Sequence, residues 1–230
     1  MAFSLPISSA DAIALLWFAV LVAGHRLATR ISPLREKSIF GAMLVHRANW
    51  MLTMVHRDNR LMDAILLGNL AQGNAFFAST AAISIGGLVT VLGYGDNARH
   101  FFQNIPMTSE NPPLLWETKV IFLISIFVYA FFKFAWAFRL THYAAILIGA
   151  TPLLDGNNIE ACEAHARRAA ELNAIMADHA ASGLSAFYYA IAALAWFFHP
   201  ALFMAATAWV VAILVRRDFF SRSRKAIAGL

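Results

Sequence analysis

At 230 residues, with 60% hydrophobic and only 13% charged side chains, this chain sits well outside the soluble average of about 45–50% apolar and about 25% charged residues. That balance excludes an ordinary water-soluble domain, and a single cysteine, Cys162, excludes an internal disulfide. The net charge of +5 comes from basic residues flanking apolar runs, which speaks for orientation in a membrane and against a nucleic-acid surface.

The pattern predicts one all-α membrane domain over 1–230, an integral membrane helical bundle of about five transmembrane helices with long cytoplasmic amphipathic extensions. The first span is expected over about 8–27, with Ser8 or Ser9 as cap, ending at His25-Arg26. No basic n-region precedes it, so it is expected to be retained rather than cleaved. Ser38 to Asp63 reads as one amphipathic helix. Phe40, Met43, Leu44, Met51, Met54, Val55, Leu61 and Met62 are apolar, while His46, Asn49, Thr53, His56, Arg60 and Asp63 recur every three or four residues on another face. Its basic residues suit an anionic headgroup layer.

The second span, over about 70–94, lies in an uncharged stretch from Ala64 to Gly95. Bilayer hydrocarbon is about 30 Å thick and needs about 20 apolar residues in a helix. The third span is expected over 116–138. A second cytoplasmic helix over 158–180 opens on a capping box, Asn157 and Glu160, and carries Glu163, Arg167 and Glu171 at i, i+4 spacing. No Pro or Gly interrupts it before Gly183, so it continues into the fourth span, 181–198. The His199-Pro200 pair breaks the chain, and a fifth span over 201–215 stops at Arg216-Arg217.

Basic residues set the orientation. Arg26, Arg30, Arg35, Lys37, Arg47, Arg57 and Arg60 lie between the first and second spans, and Arg216, Arg217, Arg222, Arg224 and Lys225 follow the fifth. The connection between spans two and three carries Arg99 alone, with Lys119 at the membrane edge. The positive-inside rule places the N-terminus outside and the C-terminus in the cytoplasm of a bacterial inner membrane.

Chemistry is sparser than architecture. Thr90 to Asp96, TVLGYGD, resembles a potassium-channel filter, but the inserted Leu92 breaks the carbonyl register such a filter needs. Lys133, inside the third span, either faces a water-filled path, where Asp63 or Asp155 would pair with it, or snorkels to the interface. Cys162 and His165 are a two-residue pair, short of the three or four ligands a metal site needs. His25, His142, His179 and His199 sit at membrane edges without a multi-ligand spacing, so neither haem nor metal is expected. The segment HRANWMLTMVHRDNR offers His46, Arg47, Asn49, His56, Arg57 and Arg60 to an anionic headgroup, a phosphate or an acidic partner, or simply to solvent. Asn69, Gln72 and Asn74 open the second span as interhelical hydrogen-bond groups or path-lining amides. No nucleophile elbow, P-loop, zincin helix or dinucleotide fingerprint occurs, so the chain is not expected to be an enzyme.

RANWM at Arg47–Met51 and the stretch from Asn173 to Pro200, with Gly183, Tyr188-Tyr189, Trp196 and His199-Pro200, resemble the domain of unknown function 599 family of multi-spanning bacterial membrane proteins. The resemblance extends over nearly the whole chain. It implies the same architecture, brings no established reaction, substrate or cofactor, and places Arg47, Trp50 and Met51 in a family signature.

The expected function is permeation or transport of a small solute or ion through a homo-oligomer. Lys133, Asn69 and Gln72 would face the path, and Arg47, Trp50, His56, Arg57 and Arg60 would lie at its cytoplasmic mouth. The alternative is an accessory or scaffold subunit whose cytoplasmic helices dock a larger membrane complex. The partners expected are anionic lipid headgroups and further protein copies, not nucleic acid.

Overall fold

Ser8 starts the first helix, α1 (Ser9–Arg30): its Oγ accepts the Asp11 N–H at 3.2 Å and donates to the Asp11 carboxylate at 2.7 Å. The structure is a computed structural model that describes residues 8–31, 33–94, 112–155 and 157–229. Every regular element among the described residues is helical. A 3₁₀ turn at Pro33–Lys37 leads into α2 (Ile39–Val55), followed by α3 (Leu61–Gly93), α4 (Pro113–Gly149), α5 (Ile159–Leu194), α6 (Pro200–Phe220) and a short α7 (Arg222–Ala228).

Five of the helices are long and apolar enough to cross a membrane. At about 1.5 Å per residue, the 33 residues of α3 and 37 of α4 give rods of roughly 50 and 55 Å, well beyond the roughly 30 Å of hydrocarbon. Both therefore overrun the spans expected from hydropathy. Phe76, Ile83, Phe132 and Trp209 are exposed on their outer faces, apolar surface that suits lipid contact.

The single amphipathic helix expected over 38–63 is instead two elements. α2 stops at Val55, and residues 56–60 turn the chain so that Asp63 belongs to the first turn of α3. The cause is local: the Asn59 side chain accepts the Leu61 N–H at 2.9 Å, a turn-forming bond that competes with helix continuation. The Asn157 capping box does not form either. Asn158 is the N-cap position of α5, and its side chain is occupied by the Asp155 N–H at 3.2 Å and the Leu153 carbonyl at 2.8 Å. The Thr90–Gly93 part of the filter-like motif is the last turn of α3 and Tyr94 its C-cap. Gly95, Asp96 and the loop arginine Arg99 lie outside the described residues.

α5 is the hub, packed against α4, α2 and α6. Its buried face is lined by small residues, among them Ala166, Ala169, Gly183, Ala186 and Ala190, so neighbouring backbones approach closely. A Cβ on Gly183 would lie 2.7 Å from the Phe134 ring of α4. Four clusters of buried apolar residues result among the described residues, and the two largest lie towards opposite ends of α5. One joins Met51, Met54, Leu67, Ile148, Cys162 and Ala166 at the α2 end of the bundle, and the other joins Phe18, Trp116, Leu123, Tyr189, Trp196, Phe203 and Leu214. Along α5 the cavities described next line up between these cores.

Candidate functional site

The site begins with the anchoring of α2. Ser38 Oγ accepts the Gly41 N–H at 3.1 Å and donates to the Arg35 carbonyl at 2.6 Å. Gly41 is obligatory there, because an added Cβ would lie 2.2 Å from the Arg35 carbonyl oxygen. So fixed, α2 lies on α5 and turns Arg47 inward. Arg47 Nη1 donates to Asn173 Oδ1 of α5. Asn173 is wholly buried, and its own Nδ2 has no partner among the described residues. Burial lowers the Arg47 pKa from the ordinary arginine value, and no carboxylate offsets that desolvation. The guanidinium nevertheless stays cationic, since arginine does not lose its proton in proteins.

Arg47 opens on a cavity of about 440 Å³ lined by residues of α1, α2, α3, α4, α5 and α6. Arg30, Asn69, Asn74, Arg217 and Asp218 add polar groups to its wall, and Phe40, Met43, Leu44, Phe77, Phe134 and Leu184 supply an apolar one. Arg30 Nη1 lies 3.1 Å from Asp178 Oδ1, with its guanidinium 4.0 Å above the Phe40 ring. Arg217 Nε lies 2.9 Å from Asp218 Oδ1. Two of the three arginines are thus matched by aspartates. Arg47 is not.

Arg30 also lines a second cavity of about 310 Å³, where Phe18, Val22, Phe122 and Ile126 are joined by His25, Arg26, Tyr129 and Tyr189. A third of about 470 Å³ sets Arg26, Arg30 and Arg35 against Glu171 and Asp178. Between the first two cavities runs a buried chain from three helices. His25 Nδ1 is 2.7 Å from the Tyr189 hydroxyl, and His25 Nε2 is 3.1 Å from Asp218 Oδ2.

The family described as "Protein of unknown function, DUF599" matches residues 13–223. The chain belongs to this family. No curated protein and no solved structure matches it. The DUF599 region holds every residue of the site just described, including Arg47 and Trp50 of the RANWM stretch.

The residues singled out from the sequence have divergent fates. Arg47, Asn69 and Trp50 come together around a shallow cavity of about 370 Å³ beside the arginine cavity. Arg57 and Trp50 both converge on the buried Asp63, whose Oδ1 accepts from Arg57 Nη1 at 2.5 Å and Trp50 Nε1 at 2.6 Å. Asp63 is therefore no partner for Lys133. Lys133 Nζ lies 3.4 Å from His179 Nδ1 and over the Tyr129 ring, and Asp155 bonds the Asn157 N–H instead. Arg60 caps the end of α4, donating to the carbonyls of Thr151 and Pro152. His56 and Gln72 are exposed. Among the described residues no three His, Cys, Asp or Glu side chains cluster as a metal site, and the Cys162 thiol donates to the Pro152 carbonyl and Asn158.

Sequence reasoning missed Arg30, Asp178, Asn173, Tyr189 and Asp218 as site groups. For Asp218 a signal existed: an acidic residue near the end of an apolar helix calls for an internal partner. Asn173 carried none, because an amide on an amphipathic helix is unremarkable until its neighbours are known.

Proposed function

We propose that this protein is a transport-type membrane protein that takes an organic anion, an oxyanion head on a hydrocarbon body, into the cavity between Arg30 and Arg47. The observation that carries this reading is Arg47: a desolvated guanidinium, held by one neutral amide and no carboxylate, facing a cavity with apolar walls. Arg47 is half-buried, and a partly desolvated cation without a counter-ion carries a cost that an oxyanion bound by the guanidinium fork offsets. The apolar wall from Phe40 to Leu184 accommodates hydrocarbon rather than a hydrated inorganic ion. With the positive-inside orientation, the α2 end of the bundle faces the cytoplasm, and the cavity lies at the level of that leaflet's headgroups. In this reading Arg47 and Asn69 keep a place at the site, whereas Arg57 and Arg60 hold the scaffold.

Octyl sulfate is a suitable probe. In nanodiscs of zwitterionic lipid the wild-type protein should bind it, and Arg47→Gln should weaken binding by about tenfold or more, the loss of one charge-assisted contact. Equal affinity in the two proteins removes the site. Adding phosphatidylglycerol separates the sources of the anion: competition identifies a lipid headgroup, and its absence identifies a free organic anion. Uptake of octyl sulfate into proteoliposomes, abolished by the same substitution, tests transport itself.

A further inference from the structure

The buried chain between the two cavities places three titratable side chains from three helices in a row. Tyr189 and His25 line the aromatic cavity, and Asp218 lines the arginine cavity. The imidazole spans the distance between them, with both ring nitrogens engaged. Ionisable groups inside a membrane bundle are expensive and mark ion or proton pathways. Three-helix packing alone would be served as well by apolar side chains of the same volume.

We propose that Asp218, His25 and Tyr189 form a proton-binding chain that loads a proton together with each anion entering the Arg30–Arg47 cavity. In the neutral state the Tyr189 hydroxyl donates to Nδ1, and Nε2–H donates to Asp218. Protonation adds a hydrogen at Nδ1, and the Tyr189 hydroxyl turns from donor to acceptor. No heavy atom has to move, so the same geometry serves both states. The proton comes from solvent hydronium by way of the aromatic cavity: one O–H bond breaks, the Nδ1–H bond forms, and a water molecule is released. The imidazolium then neutralises Asp218, which releases Arg217 from its 2.9 Å contact towards an anion in the same cavity.

The charges around the chain favour this coupling. Arg26 and Arg30 of α1 and Arg217 of α6 surround it, with Asp178 of α5 opposite Arg30 and the Tyr129 hydroxyl of α4 taking Arg26 at 2.5 Å. Arg47 of α2 faces the same cavity as Asp218. In that field a bound anion stabilises the extra proton, and by reciprocity the proton tightens the anion. Affinity therefore rises as pH falls and the chain takes up its proton.

This inference rests on the anion site proposed above, and one experiment separates their failures. Octyl sulfate has no titrating proton near neutrality, so its binding calorimetry in two buffers of different ionisation enthalpy counts protons taken up by the protein. The wild-type protein in zwitterionic nanodiscs should take up close to one proton per octyl sulfate, and bind about tenfold tighter at about pH 6 than at about pH 8. His25→Gln preserves both hydrogen bonds, its amide donating to Asp218 and accepting from Tyr189, but cannot titrate. It should keep octyl sulfate binding and lose both the proton uptake and the pH dependence. Should the glutamine variant fail to fold, the His25 ring resonances of the wild-type protein carry the same test: at constant pH, saturating octyl sulfate should shift them towards the imidazolium form. Binding without proton uptake in the wild type, uptake unchanged in His25→Gln, or His25 resonances unmoved by octyl sulfate overturns the coupling and leaves the anion site standing. Absence of wild-type binding overturns both.

Discussion

Asp63 decides the roles of two neighbouring arginines. Its carboxylate is fully buried and accepts from Arg57 and from the Trp50 indole, which makes Arg57 part of the turn and leaves Arg47 without an acid. Asp63→Ala strands both donors and should cost about 3 kcal/mol in equilibrium unfolding from mixed micelles. Arg47→Gln, which can still donate to Asn173, should cost less than about 1 kcal/mol in the same assay. A large loss of stability in Arg47→Gln would make that arginine structural. The sequence marked Arg47, Arg57 and Arg60 alike, because arginine richness near a span looks the same whether it binds, caps or braces. What separates them is which one meets Asp63 across the turn and which one meets the α4 carbonyls, and both are tertiary facts.

The helices themselves were largely legible. Their apolar runs, the Ser8 cap, the His199-Pro200 break and the uninterrupted pattern of α5 all come from local sequence, and His199 Nδ1 does accept the Ala201 N–H at 3.1 Å as α6 begins. The join of α2 to α3 was not, since apolar and polar residues stay in helical phase across it and only the Asp58-Asn59 turn chemistry breaks the helix. That join works through Arg60, whose guanidinium satisfies carbonyls at the end of α4. Arg60→Ala should speed amide exchange at Ala150 and Thr151 by about tenfold, while amides in the middle of α4 stay protected. Uniform acceleration along α4 would instead mean that the whole helix loosens. Where α4 crosses α5, the Phe134 ring occupies the space a Gly183 side chain would need. Gly183→Ala should therefore destabilise the protein by about 1–3 kcal/mol, read as a lower midpoint of thermal unfolding.

The molecule as a whole sets its two largest apolar cores apart, and the site lies between them along α5. Packing at the α2 end fixes Arg47, packing around Phe18 and Trp196 fixes α1 and α6, and Arg30, His25 and Asp218 stand between them. Composition and charge bias foretold a helical membrane bundle with a basic end, but not that the basic end turns an uncompensated arginine into an apolar-walled cavity. That arrangement is tested most directly by a structure of the protein in zwitterionic nanodiscs with octyl sulfate. The sulfate oxygens should lie about 3 Å from the Arg47 guanidinium, with the alkyl chain along Phe40 and Leu184. Octyl sulfate bound elsewhere, with Arg47 still turned to Asn173 alone, would contradict the assignment of this cavity as the anion site.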